Sequence, residues 1–230
     1  MRLDLAPWAA PPARPVLEAG HLHLWRFRLD LPLAEIEPLK QQLSDEELVR
    51  AARLLDPVKG QNFIAARARP RQILAQYLDQ SARSLQFSYG PLGKPHLVTS
   101  LQPVFFNLSH ARSWALLAIT GDGEVGVDIE YINPEIDHVK IARQFLSAPE
   151  WARLANAPPA RQHREFYRLW TAREAVLKAS GCGFSIDSTS QDHHYLPRTF
   201  PLARNYLATL AAESRNLLLF RWDLAGILTN

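Results

Sequence analysis

The 230-residue chain is 47% hydrophobic and 21% charged, enough apolar side chain to core one large domain or two small ones, and not the balance of a disordered tail. Its formal charge of +3 rests mainly on arginine, which suits a phosphate-bearing ligand or an acidic protein partner, while no run of mixed basic and aromatic residues marks a nucleic-acid surface. The single cysteine, Cys182, rules out an internal disulfide and a cysteine metal cluster, and between two glycines it reads as a small packing residue.

The N-terminal MRLDLAPWAAPPARP is broken by prolines. It is expected to form an extended surface arm, neither signal peptide nor membrane span, so the chain is read as soluble and cytoplasmic. His21 to Leu29 alternates as a strand. Ser44 to Glu47 forms a capping box that predicts a helix to about Leu55, with Leu48, Ala51, Ala52 and Leu55 on its apolar face. Phe63 to Leu78 reads as a longer helix, with a break near Arg69, because an interior proline (Pro70) costs about 3 kcal/mol or kinks the helix. Between Arg50 and Arg83 the basic residues Arg50, Arg53, Lys59, Arg67, Arg69, Arg71 and Arg83 face only Asp56 and Asp79. That excess is either a solvated face or an anion site.

Val104 to His110 and Trp114 to Thr120 predict a hairpin turning at 111–113. Glu124 to Ile132 is a further strand and Val139 to Leu146 a helix. Ser147 to Glu150 is a second capping box opening the next helix. A long helix then runs through FYRLWTAREAVLKAS to a stop at Gly181, and Leu217 to Trp222 is the clearest late strand. A coarse order of strand, helices and strands recurs in the two halves, without a residue-level repeat.

Four stretches carry chemistry. In GVDIE, strand alternation turns Val125, Val127 and Ile129 one way and Gly126, Asp128 and Glu130 the other. Two carboxylates about 7 Å apart on one face repel unless a cation sits between them, so they are a cation site or two exposed acids on an edge strand. On the long helix, steps of four link Phe166, Trp170, Glu174 and Lys178. Glu174 and Lys178 are an i,i+4 ion pair on a solvated face, or they point into a cleft and hold something charged. With Glu174 the strand acids would offer three hard oxygen donors, which suits Mg²⁺. In FNLSH, Asn107 and Ser109 share a face and His110 ends the strand; adjacent Ser109 and His110 point apart, so phosphate binding fits better than a nucleophile–base pair. In GKP, Lys94 sits on a loop and can reach a phosphate.

GKP, FNLSH, GVDIE and FYRLWTAREAVLKASGCG, in this order and with these gaps, resemble the 4′-phosphopantetheinyl transferases of the surfactin-synthetase-activating type. The resemblance runs from about His21 to Gly183 and includes the helix pair in Leu43 to Leu78. It implies a monomeric α+β protein of two similar halves, 1–120 carrying the coenzyme A phosphate-binding elements and 121–230 the metal site and catalytic helix, with the active site in the cleft between. It implies transfer of the phosphopantetheine arm of coenzyme A to a serine of an apo acyl or peptidyl carrier protein, releasing adenosine 3′,5′-bisphosphate. The alternative is a non-catalytic protein that holds coenzyme A or a carrier protein. Carried over by motif, Asp128, Glu130 and Glu174 become Mg²⁺ ligands and Lys178 the cation at the transferred phosphate. Lys94, Ser109, His110 and Asp128 become coenzyme A contacts, and Arg50 and Arg67 lie near the adenosine 3′-phosphate. Glu150 or Glu174 becomes the general base. Three positions depart from the family pattern: Arg173 for Lys, Pro70 for an apolar helix former, and Gly60-Gln-Asn62, poor in basic residues. Leu146 and Trp151 are expected to be exposed and to help dock an acidic carrier helix.

Overall fold

The computed structural model describes residues 7–98, 103–181, 194–213 and 217–224. Cys182 and Gly183 lie outside them. The chain opens with strand β1 (His21–Arg28), helices α1 (Leu33–Lys40), α2 (Asp45–Ala52) and α3 (Pro57–Leu78), and a short β2 (Phe87–Tyr89) and β3 (Pro95–Leu97) ribbon. The hairpin of β4 (Phe105–Ala111) and β5 (Trp114–Thr120) follows. Next come β6 (Val125–Tyr131), α4 (His138–Phe145), α5 (Ala148–Ala155) and α6 (Pro159–Ser180), then β7 (Leu196–Ala203), β8 (Tyr206–Ala212) and β9 (Leu218–Asp223). Two runs therefore match in order, and their helices in length: a strand, two eight-residue helices and one helix of 22 residues.

One sheet has the order β4-β5-β1-β9 and the other β6-β8-β7. The last strand runs parallel to the first, so the chain ends by returning to the first sheet. β1 is apolar on both faces because both are covered. Trp25 and Phe27 pack with Ile64, Ile73 and Leu74 of α3. Leu22 and Leu24, with Leu116 of β5, share a second core with Val125, Val127 and Ile129 of β6 and Phe200 of β7. That second core joins the two sheets. The described part of the arm, from residue 7, lies on the surface, where Ala9 bridges Trp222 and the Trp8 ring stacks against Arg26 at 4.5 Å and Arg221 at 4.2 Å. No helix among the described residues is long and apolar enough to cross a membrane.

The strands fall within about a residue of where alternation puts them, but the helices of the first half do not. The capping box at Ser44 forms, with Glu47 N on Ser44 Oγ at 3.3 Å and Ser44 N on the Glu47 carboxylate at 3.0 Å. Yet α2 stops at Ala52, and Leu55, assigned above to its apolar face, is 98% exposed. α3 starts six residues before Phe63, with Pro57 in its first turn and Asp56 capping the Val58 and Lys59 N–H groups. It runs through Pro70 without the expected break. Tertiary packing outweighs the proline's cost here: Pro70 is buried, and Ile64, Ala68, Ile73 and Leu74 on either side of it lie in the core. The next residue, Arg71, is 4% exposed and pins the turn by donating to Glu47 at 2.8 Å, Ala82 O at 3.0 Å and Leu85 O at 2.8 Å.

Candidate active site

The site begins at the seam between the sheets. β6 is an edge strand of its sheet, so alternate N–H groups on its open side lack a ladder partner. Side chains of β4 supply them. Val127 N donates to Asn107 Oδ1 at 2.9 Å and Ile129 N to Ser109 Oγ at 3.3 Å. Residues i and i+2 of a strand share a face, which is why the motif needs both polar groups at this spacing. The seam buries what an edge would expose: Asp128 is 3% exposed, so the reading of two exposed acids is overturned.

Helix α6 lies across the same strand. A Cβ on Gly126 would sit 2.0 Å from Ala175 O and 2.4 Å from Ala179 N, so glycine there is what allows the helix backbone to touch the strand. Thr171 on α6 and Thr209 on β8, both buried, and the half-buried Thr199 on β7 add a ladder of hydroxyls, each step 2.8 Å. Phe166 and Trp170 stack with ring centroids 6.0 Å apart and fix the start of the stripe. Its ionic end then enters the seam. Lys178 Nζ donates to Asp128 Oδ1 at 2.6 Å and to Ser109 Oγ at 3.1 Å, and Ser109 in turn donates to Asp128 Oδ1 at 3.1 Å. The lysine therefore pairs across the seam with the strand acid, not along its own helix with Glu174.

The acids here are under-neutralised. Burial, and then the Asp128 and Glu174 charges, push the Glu130 carboxyl up to about 7, despite a hydrogen bond from Trp170. Burial raises Asp128 as well, against the pull of Lys178, and burial followed by Asp128 raises Glu174. Asp128 Oδ2 is buried and accepts no hydrogen bond. A buried carboxylate oxygen without a donor, among acids that raise one another's pKa, fits a hard cation. The side chains as they stand do not close around one: among the described residues no three His, Cys, Asp or Glu groups are gathered as a metal cluster.

Two cavities meet beside the seam, sharing Gly93, Pro95 and Leu108 in their walls. The smaller, about 250 Å³, is bounded by Lys94, Asn107, Glu174, Lys178 and Gly181. The larger, about 640 Å³, is lined by Arg50, Lys59, Arg67, His110 and Arg112. Among the described residues none of these five is ion-paired with a carboxylate. Arg50 and Arg67 both stand over the Phe63 ring, 5.4 and 5.6 Å from its centroid, and Arg112 lies 3.4 Å from the Tyr131 ring centroid. Burial, then the Lys178 and Arg67 charges, keep the His110 pKa low. The arrangement can hold a polyanion at one end and handle charge and protons at the other.

The comparisons agree with this chemistry. A family model described as the 4′-phosphopantetheinyl transferase superfamily matches residues 124–219, the stretch that holds Asp128, Glu130, Glu174 and Lys178. The 4′-phosphopantetheinyl transferase HetI of Nostoc sp. is 35% identical over 180 residues, 77% of this chain and 76% of its own. The chain belongs to the 4′-phosphopantetheinyl transferase superfamily. Psf-1 of Bacillus pumilus, a protein of the same transferase name, is 33% identical over 68% of this chain and 65% of its own. AcpT of Salmonella typhi is 35% identical over 54% of this chain and 62% of its own.

In this transferase the structure brings Ser109, Asp128, Glu130, Glu174 and Lys178 together and sets Arg50, Arg67 and His110 around the adjoining cavity. Two residues have their polar atoms engaged by other partners, though Lys94 lines the smaller cavity. Lys94 Nζ lies on Glu124 at 2.6 Å, Ala179 O at 2.7 Å and Val125 O at 3.3 Å. Glu150 accepts from Ser147 N at 2.8 Å and Ser147 Oγ at 2.7 Å, and lies 3.4 Å from Arg173 Nη1. Leu146 and Trp151 are not the exposed pair expected above: both are partly buried against Leu154 and Phe166, and Arg143 covers the Trp151 ring at 5.4 Å. Sequence reasoning missed four participants. Lys59 was visible only as one basic residue among seven, Arg112 only as a turn residue, Asn107 only as a strand residue and Gly126 only as the small member of GVDIE. Lys59 also answers the basic-poor Gly60-Gln-Asn62, since it reaches the cavity from just before it.

Proposed function

We propose that the transferase moves the phosphopantetheine arm of coenzyme A to a serine of an apo acyl or peptidyl carrier protein, releasing adenosine 3′,5′-bisphosphate, as the surfactin-synthetase-activating type does. The observation that carries this reading is the under-neutralised acid cluster opening beside a cavity with four cations unpaired with any carboxylate, Arg50, Lys59, Arg67 and Arg112, and the imidazole of His110. In it, Arg50, Lys59, Arg67, His110 and Arg112 hold the nucleotide phosphates. Lys178, already oriented by Asp128 and Ser109, offsets charge on the transferred phosphate.

Asp128, Glu130 and Glu174 would hold Mg²⁺, which neutralises pyrophosphate charge and stabilises the departing bisphosphate. Glu174 takes the carrier serine's proton, because its carboxylate borders the smaller cavity beside Lys178. Glu150 is already occupied in capping α5. The matching runs of elements support a molecule of two related halves, divided near residue 120, with the site in their cleft. The same reading makes it a cytoplasmic monomer.

The test is the intact mass of an apo carrier protein after incubation with the transferase, coenzyme A and Mg²⁺. One added phosphopantetheine mass, lost with EDTA and with Glu174→Gln, supports the proposal. Binding of coenzyme A with no mass gain on several carrier proteins would support the non-catalytic alternative.

A further inference from the structure

Lys94 belongs to the GKP loop, and its resemblance-based role is a coenzyme A contact. Its geometry says otherwise. An ammonium has three protons, and three protein oxygens take them: Glu124 Oε2 at 2.6 Å, Ala179 O at 2.7 Å and Val125 O at 3.3 Å. The side chain is 9% exposed. The four cavity cations Arg50, Lys59, Arg67 and Arg112 have no such carboxylate partner, so a phosphate arriving at the site meets free charge there and a fully engaged ammonium at Lys94.

The three oxygens are informative in themselves. Ala179 O lies in the last turn of α6, where carbonyls lack intrahelical donors and the helix dipole favours a cation. Val125 opens β6, one residue before the glycine on which Ala175 and Ala179 rest. Lys94 Cδ lies 3.7 Å from where a Cβ on Gly181 would stand, and Gly181 is the left-handed residue ending α6, with φ of 68°. The lysine thus caps the helix from outside and ties its end to the start of the strand. Lys178, in the same turn, reaches Asp128 and Ser109 from that end.

We infer that Lys94, with Glu124, is a positioning residue: a cap supplied in trans that fixes the depth and rotation of α6, so that Lys178 and Glu174 meet β6 correctly. It is not a phosphate ligand. This rests on the transferase reading, and wild-type turnover in the same assay separates a failure of that reading from a failure of this one.

The test is steady-state kinetics with coenzyme A and an apo carrier protein, plus thermal melts, for Lys94→Met, Glu124→Gln, their double variant and Lys94→Arg. Lys94→Met is expected to lower kcat about tenfold with KM for coenzyme A moving less than about twofold. Glu124→Gln should lower kcat about threefold in the same pattern, and the double variant should be no worse than Lys94→Met, because one device has been removed twice. Lys94→Arg, which keeps the charge, should recover part of kcat. A rise of about tenfold in KM for coenzyme A in Lys94→Met, with Glu124→Gln unchanged or tighter, would overturn the assignment in favour of a phosphate contact. Wild-type kinetics in both single variants would overturn it too. If Lys94→Met does not fold, Glu124→Gln carries the test alone: a lower kcat at constant KM supports the cap, and an unchanged kcat refutes it.

Discussion

α3 and α6 are the same length, each has a proline in its first turn, and each ends on a left-handed residue, Asp79 with φ of 51° and Gly181 with φ of 68°. Their surroundings differ. The backbone of α3 approaches α1 and α2, and it shows Phe63 and Arg67 to an open cavity where the cations stand unpaired. The backbone of α6 is pressed onto β6 and β8, and its lysine is already paired across the seam. One helix offers free charge, suited to holding a ligand. The other holds charge that is fixed in place, suited to acting on one.

The sharpest way to break the contrast is to remove charge from the fixed side. Glu174→Gln and Asp128→Asn are expected to lower kcat by about 10²–10⁴-fold in the carrier-loading assay. Asp128→Asn should do so through Lys178, whose ion pair it removes. Next comes the contact beneath α6. Gly126→Ala places a methyl 2.0 Å from Ala175 O, a clash with backbone that no side-chain rotation relieves. The helix must lift, which should destabilise the fold by about 1–3 kcal/mol or more in a denaturant titration and abolish turnover even where the protein still folds. On the free side the effect should be smaller and of another kind. Arg67→Ala should raise KM for coenzyme A by about tenfold with little change in kcat, and the penalty should shrink as salt rises.

The two sides should also differ in their response to pH. Glu130 has its folded pKa raised from 4.5 to about 7. In that window the folded state binds the extra proton, so the cluster's ionisation costs stability progressively as pH rises from about 4.5 through about 7. Thermal melts in EDTA should therefore fall across that range, Glu130→Gln should flatten the fall, and Mg²⁺ should restore stability near neutral pH. A melt curve that does not change over that range would mean the acids are already compensated.

The seam was more legible in the sequence than the first half's helices, and for a physical reason. Strand alternation is a two-residue rule, so GVDIE and FNLSH state which side chains share a face. Asn107, Ser109 and Asp128 then follow from that rule once the strands are adjacent. Helix boundaries near Pro70 depend on burial that local propensity does not record, so Arg71 and its three acceptors outweigh a rule that works for exposed helices. Lys178 shows the same limit: i,i+4 spacing names Glu174 as its partner, but the partner it takes is 50 residues away and reachable only because Gly126 lacks a side chain. Lys59 and Arg112 reach the cavity from a helix start and a two-residue turn, places where basic residues are ordinarily solvated.

The smallest predicted effect is the cleanest control on the comparison. Gly60 lies in the first turns of α3, as Gly126 lies under the end of α6, and both are buried glycines. A Cβ on Gly60 would meet Ala51 O at 3.9 Å and the Leu54 Cβ at 4.0 Å, ordinary van der Waals distances. Its backbone is helical, so alanine there narrows the unfolded ensemble without straining the folded one. Gly60→Ala should accordingly stabilise the protein by about 0.4–1 kcal/mol in the denaturant titration that shows Gly126→Ala unstable. It should also leave both KM and kcat within about twofold of wild type. If Gly60→Ala destabilised as much as Gly126→Ala, close approach would not be what sets the two glycines apart. The account of α6 as a helix pressed into place would then lose its main support.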